Sequence, residues 1–297
     1  MTAKTTEKHP LVYPYGTRHT DEMIADLSRR AWEFRIQVLK MVYDHQTGHI
    51  GGAFSAAEIL TALFFHQMNL DPKNPDWPDR DRLVFSKGHA CAMLYTCLAN
   101  RGFFPVETLD TFRELNSILQ GHPEPAKTPG VEVPAGPLGH GIAIGTGMAL
   151  AARLQDRRSK AYVVLGDGEI NSGPIWEGAL AASKYKVDSL KCILDYNGVQ
   201  QTGTTDHVCS TEPIKDKWAS FNFHVIEIHG HNMAQVLAAL DEADEMHAKP
   251  VMIVARTTKG KGVSFMENNN EWHGAAPNEA QYKQALSELE QEVERWQ

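Results

Sequence analysis

Two short segments place oxygen ligands just beyond apolar runs: Leu165-Gly166-Asp167-Gly168-Glu169, and, thirty residues on from Asp167 to Asn197, Asp195-Tyr196-Asn197-Gly198-Val199. Glycines let a backbone turn tightly and come close to a ligand. The Asp167 carboxylate, the Asn197 amide oxygen and a free backbone carbonyl from these strand ends are hard donors. An octahedral Mg²⁺ takes such ligands while it also holds a diphosphate, and Ca²⁺ or Mn²⁺ could substitute. A lone Gly-Asp-Gly is often an ordinary turn; the second segment makes it a candidate metal site.

The chain has 14 histidines, most of them far apart. The close pair His229-Gly230-His231 reads as a loop ahead of a helix that Asn232, a good N-cap residue, would start. His49, His89, His122 and His273 differ, because each stands in a glycine-containing loop and not in a helix core. Histidine exchanges protons near neutral pH and bonds hydroxyls or phosphates from either ring nitrogen.

These side chains need a frame. Residues 21–45 place Ile24, Leu27, Ala31, Phe34, Val38, Met41 and Val42 at helical spacing, an amphipathic opening helix. Short β-branched runs at 161–165, 192–194 and 251–255 alternate with helix-like sequence at 176–185 and 233–247, and 224–228 is a fourth strand candidate. Such alternation predicts an α/β fold: a parallel sheet with helices on both faces. Ligands of such sheets sit beyond the carboxyl ends of the strands, where Asp167 falls. Loops rich in Gly, Pro, Asp and Asn span 71–81, 121–140, 197–206 and 257–277, and the last is long enough to suggest function. Residues 1–297 read as one domain, with a flexible N-terminus over about 1–19 and a C-terminal helix over about 278–295.

A composition of 42% hydrophobic and 22% charged residues fits a globular protein and argues against disorder. The formal charge of −8 argues against nucleic acid as a partner, since polyanion binding needs dense Lys and Arg. The apolar stretch 142–152 contains Gly145 and Gly147 and is too short to span a membrane. Residues 1–20 have no apolar core of the secretory kind, so a cytoplasmic protein is expected. Cys91, Cys97, Cys192 and Cys209 have neither C-x-x-C nor zinc-finger spacing and read as buried or indifferent thiols.

Gly-Asp-Gly followed after about thirty residues by Asn is the thiamine diphosphate signature, and further segments resemble the transketolase family. These are Thr47-Gly48-His49, Arg80-Asp81-Arg82-Leu83-Val84-Phe85-Ser86-Lys87-Gly88-His89, Gly121-His122-Pro123-Glu124, Gly130-Val131-Glu132-Val133, Gly136-Pro137-Leu138-Gly139 and Trp272-His273-Gly274. They stand in the family's order from about residue 20 to 280. The resemblance implies a thiamine diphosphate-binding fold with Mg²⁺ on Asp167, Asn197 and Val199. It implies cofactor contacts from His89, Gly136, Pro137, Leu138, Gly166, Gly168, Glu169 and His273 as well as Asp167 and Asn197. It also implies that His49 and His273 handle substrate hydroxyl protons while His122 meets the sugar near its carbonyl end.

Full-length transketolases continue for several hundred residues into a domain that binds the aminopyrimidine ring and supplies a catalytic glutamate. The resemblance therefore implies a partner C-terminal subunit carrying that domain, two copies of each chain, and active sites between unlike chains. The implied activity is transfer of a two-carbon ketol unit from a ketose, by default a pentose-phosphate pathway sugar phosphate, to an aldose. Two departures stand out: Ser172 replaces a glutamate that links paired sites in the family, and Ile50 replaces a proline. The alpha chain of a 2-oxo acid dehydrogenase also splits such a site between chains, but that family lacks the Ser86–His89 and Gly121–Glu124 segments. A deoxyxylulose phosphate synthase relative would be a single long chain, and a non-catalytic module would not be expected to retain Asp167, Asn197 and the four loop histidines.

Overall fold

The computed structural model describes residues 19–296. The N-terminal segment expected to be flexible lies outside the described residues apart from His19. In chain order the elements are α1 Asp21–His45, α2 Ile50–Ser55, α3 Ala57–Ala62, β1 Arg82–Phe85, α4 Cys91–Arg101, α5 Gly141–Leu154, β2 Ala161–Gly166 and α6 Gly173–Lys184. There follow β3 Leu190–Tyr196, α7 Thr205–Val208, α8 Ile214–Ser220, β4 His224–His229, α9 Met233–Glu245, β5 Val251–Arg256 and α10 Glu279–Glu294.

All five strands are parallel, in the order β1-β2-β3-β5-β4. Successive side chains of a strand point to opposite faces, and the two cores follow that alternation. Tyr162, Val164, Ile193 and Ile253 pack with buried residues of α1, α3, α4 and α9. Val163, Leu165, Cys192, Leu194, Met252 and Val254 pack with α5, α6 and α8 on the other face. Pairing of Gly166 with Asp195, and of Tyr196 with Arg256, levels the ends of β2, β3 and β5. The segments that follow these ends therefore emerge side by side.

Helix ends match their sequence signals. Thr20 accepts from Met23 N–H and starts α1, Asn232 caps α9 as expected, and Asn278 forms a reciprocal capping box with Gln281 at α10. α6 starts three residues before the expected Trp176, because proline is favoured in a first turn and Pro174 occupies it. β3 exceeds the expected 192–194 because its charged ends are buried with partners: Lys191 Nζ donates to the Ala243 carbonyl, and Asp195 pairs with Lys87. The apolar stretch 142–152 forms most of α5. Gly145 lets this helix close on the sheet, since a Cβ there would lie 2.4 Å from Val163 Cγ2. Cys91, Cys97 and Cys192 are buried, Cys209 is exposed, and among the described residues no helix is long and apolar enough to cross a membrane.

Candidate active site

Beyond the carboxyl ends of β2, β3 and β5 lies a cleft of about 360 Å³. It brings together His49, His89, His122, Gly136, Leu138, Gly166, Asp167, Gly168, Glu169, Asn197, Val199 and His273, drawn from seven separate segments. Of the residues expected at the site, Pro137 alone lines the neighbouring cleft instead, with Ser86 and His140.

The oxygen donors are held by their own loops. Asp167 Oδ1 accepts from Gly168 N–H at 2.8 Å and Oδ2 from Gly198 N–H at 2.6 Å, tying the end of β2 to that of β3. Asn197 Oδ1 accepts from Val199 N–H at 3.1 Å. Gly198 has φ +76°, a left-handed conformation that glycine adopts without strain, and it lets Asn197 and Val199 face one cleft. Burial, together with the nearby Asp195 charge, pushes the Asp167 carboxyl up to about 6, a cost that a bound cation would reverse. Among the described residues no group of three or more His, Cys, Asp or Glu could hold a metal. A cation here would take one carboxylate, one amide and one backbone carbonyl, with its remaining ligands from water or phosphate. This donor set fits Mg²⁺.

Three imidazoles form the opposite wall. The ring centroids of His49, His89 and His273 are 5.1–5.3 Å apart, with His89 and His273 stacked. Burial lowers all three, aided at His49 by Arg113, at His89 by Lys87 and at His273 by Lys259, to about 4, 2 and 3 respectively. They are therefore neutral at pH 7. Lys259 Nζ donates to His273 Nδ1 at 2.7 Å and to the Val199 carbonyl at 3.0 Å. An ammonium only donates, so Nδ1 of His273 is the acceptor and its proton sits on Nε2. Burial and the Lys87 charge bring Lys259 itself down to about 8.

Sequence reasoning missed three basic side chains. Lys87 lies under the cleft floor, paired with Asp195 and donating to Gly52 O at 2.9 Å, while Asp195 also accepts from Ser55 at 2.6 Å and from Thr257. Burial would raise the Asp195 carboxylate, but Lys87 more than reverses this and leaves it below its ordinary range. Arg113 links two expected segments, donating to Thr47 Oγ1 and to Gly121 O. Lys87 stands within a family motif and Lys259 between a threonine pair and a glycine, but only their neighbours in space mark them as site residues. Glu169 lines the same cleft, with its carboxylate engaged by Ser86 Oγ, by Gly139 N–H at 2.8 Å and by Gly166 N–H at 3.0 Å. It ties the Gly-Asp-Gly turn to two other loops. Ser172, which stands where the resemblance implied glutamate, is pressed against Gly139: a Cβ on that glycine would lie 2.5 Å from Ser172 Oγ.

The depressed histidines set a pH dependence. The unfolded chain binds protons at these rings below about 6.5 and the folded chain does not, so folding stability falls as pH drops below that value. Asp167, Glu169, Asp81 and Glu132, raised by burial in the folded state, oppose part of this, while His66, His122 and His229, lowered by burial, add to it. The thermal midpoint of the free chain should fall between pH 7.5 and 5, and His89→Asn should flatten the fall. An equally steep fall in the variant would show that the burial of His89 is not a cause.

A parallel α/β domain that gathers hard oxygen donors and neutral imidazoles beyond its strand ends has the architecture of a thiamine diphosphate-binding domain. The family model described as "Transketolase, thiamine diphosphate binding domain" matches residues 28–295. The chain belongs to the transketolase family and spans its thiamine diphosphate-binding domain. It is 42% identical over 261 residues to one of the subunits of the apulose-4-phosphate transketolase of Phocaeicola vulgatus, a match covering 88% of this chain and 92% of that one. Against the 6-deoxy-6-sulfo-D-fructose transketolase subunit SqwG of Clostridium sp. the identity is 40%, covering 91% and 98%. The solved transketolase of Campylobacter jejuni superposes with a TM-score of 0.84 at 32% identity, covering 92% of this chain and 46% of that one. The chain thus spans nearly all of the two subunit relatives and less than half of the solved transketolase.

Proposed function

We propose that this chain is the diphosphate-binding subunit of a two-chain transketolase, transferring a two-carbon ketol unit from a ketose, phosphorylated or free, to an aldose. The observation that carries this reading is the meeting of Asp167, Asn197 and Val199 with three neutral imidazoles in one cleft. Thiamine diphosphate, when bound, supplies the carbon centre at which the ketol unit is carried. Through Mg²⁺, Asp167, Asn197 and the Val199 carbonyl would hold its diphosphate, with Lys259 adding positive charge from the cleft wall. His49, neutral at pH 7, can accept a hydroxyl proton, whereas the Lys259 bond occupies Nδ1 of His273 and leaves its Nε2–H to donate a proton or hydrogen bond to a substrate oxygen. His122, at the rim and lowered by burial and Arg113, would bond the sugar near its carbonyl end.

The pyrimidine-binding domain and its glutamate would come from a C-terminal partner subunit, two copies of each chain assembling as a cytoplasmic heterotetramer. Support comes from relatives named as subunits that this chain matches nearly end to end. Residues 1–297 would form one domain of that assembly. The reaction is tested by mixing the chain with its partner, thiamine diphosphate and Mg²⁺ and offering a panel of ketoses and 2-oxo acids. Ketol transfer between sugars is expected; decarboxylation of a 2-oxo acid instead would favour the dehydrogenase reading. In that enzyme His273→Ala should lower turnover ~10² to 10⁴-fold, the usual cost of a lost proton-transfer group. Its half-saturating cofactor concentration should change far less. An unchanged turnover would move the role to His49 or His122.

A further inference from the structure

The His229-Gly230-His231 loop does precede α9, whose N-cap is Asn232, yet His231 is not a surface histidine. Its side chain is only 5% exposed, and both ring nitrogens are bound. Nδ1 lies 2.9 Å from Glu58 Oε2, and Nε2 lies 2.8 Å from the Thr258 backbone nitrogen. A backbone amide only donates, so Nε2 is the unprotonated acceptor and Nδ1 carries its proton toward the carboxylate. One neutral tautomer is thereby fixed.

Behind it stands a buried pair. Arg35, on α1, is fully buried and donates to Glu58 Oε2 at 2.6 Å and to Phe54 O at 2.9 Å, with its guanidinium 4.3 Å over the Trp32 ring. Burial would raise the Glu58 carboxyl, and the Arg35 charge reverses this and holds it far below its ordinary range. Glu58 therefore stays ionised as an acceptor.

In front of His231 lies the segment that enters the cleft. The sheet ladder ends where Thr257 N–H donates to Tyr196 O at 3.0 Å, and His231 Nε2 supplies the acceptor for the next amide, Thr258. Lys259 follows directly, reaching His273 and the Val199 carbonyl. The turn is also pressed onto this segment: a Cβ on Gly230 would lie 2.5 Å from Thr257 Cγ2.

We propose that His231, set by Glu58 and Arg35, is a positioning residue that fixes the backbone at Thr258 and so aims Lys259, and through it His273, into the cleft. The inference rests on reading that cleft as the cofactor site. Partners one shell behind metal or cofactor ligands typically change affinity or activity about 10- to 100-fold when removed.

The test compares His231→Asn, which shortens the side chain and withdraws the acceptor, with His231→Gln, whose Oε1 can stand near the Nε2 position. Hydrogen exchange on the free chain is expected to speed up ~10-fold or more at Thr258 and Lys259 in the Asn variant, with β2 and β3 unchanged. In the enzyme reconstituted with its partner, the Asn variant should need ~10 to 100-fold more thiamine diphosphate for half-saturation, and the Gln variant should recover most of this. In a Lys259→Met background His231→Asn should add little, because residues acting along one path are coupled. Unchanged exchange at Thr258, faster exchange spread over the sheet, or full additivity with Lys259→Met would each overturn the proposal. If the unmodified enzyme takes up no thiamine diphosphate, the cofactor reading falls, while the exchange measurement still judges whether His231 fixes this segment.

Discussion

Asp167→Asn should leave the chain folded and deprive it of thiamine diphosphate. The substitution keeps the side chain's shape but removes the single carboxylate from a donor set of carboxylate, amide and backbone carbonyl. A small cation that demands near-octahedral geometry tolerates such a loss poorly. Removing a direct ligand should cost more than the ~10 to 100-fold typical of residues one shell out. The free chain should respond far less. Burial and the Asp195 charge raise the Asp167 carboxyl to about 6, above its unfolded value, so at pH 7 its ionisation opposes folding. Asn relieves that cost, but its one amide oxygen can accept from only one of the Gly168 and Gly198 amides, so gain and loss offset and the thermal midpoint of the free chain should hold. Calorimetry with Mg²⁺ in the assembled enzyme, beside thermal melts of the free chain, separates the two effects. Normal cofactor affinity in the variant would remove Asp167 from the metal site, and a sharply lower melting point would make it structural.

Much of this arrangement is legible in the residues themselves. The β-branched runs that form β2, β3 and β5 have no other economical reading, and the glycines flanking Asp167 and Asn197 mark the turns that carry the ligands. α1, α9 and α10 carry both a helical apolar stripe and capping residues. β1 is not legible as a strand, because Arg82–Phe85 is four residues long and is a strand only by pairing with β2. The insertion of β5 between β3 and β4 leaves no local trace, since strand order is decided by long-range packing. α2 contains Gly51 and Gly52, poor helix formers held by complete burial. The site follows the same rule. Residue types within one segment announce themselves, whereas Lys87, Arg113 and Lys259 acquire meaning only when loops distant in sequence meet. The bonds that hold Glu169 are equally invisible in its own segment, because its neighbours Ser86 and Gly139 belong to two other loops. His231 carries no local signal, because the nitrogen bonds that distinguish it run to α3 and to the segment after β5.

As half of the proposed active site, the cleft of this chain should be inert without a partner. The chain spans 46% of the solved transketolase of Campylobacter jejuni and nearly all of two relatives named as subunits. Its cleft offers hard oxygen donors, lysines and imidazoles suited to a diphosphate and to sugar hydroxyls. The glutamate that lines it, Glu169, is engaged by three protein donors and is not free to serve a pyrimidine ring. Ketol transfer by the chain alone should therefore be at background. The most direct measurement titrates the C-terminal partner into a fixed amount of this chain, with thiamine diphosphate and Mg²⁺ saturating, and follows transfer from a ketose to an aldose. Neither chain is expected to turn over without the other, and activity should rise with added partner to a break at equimolar chains. Robust turnover by this chain alone, or activity indifferent to the partner, would contradict it.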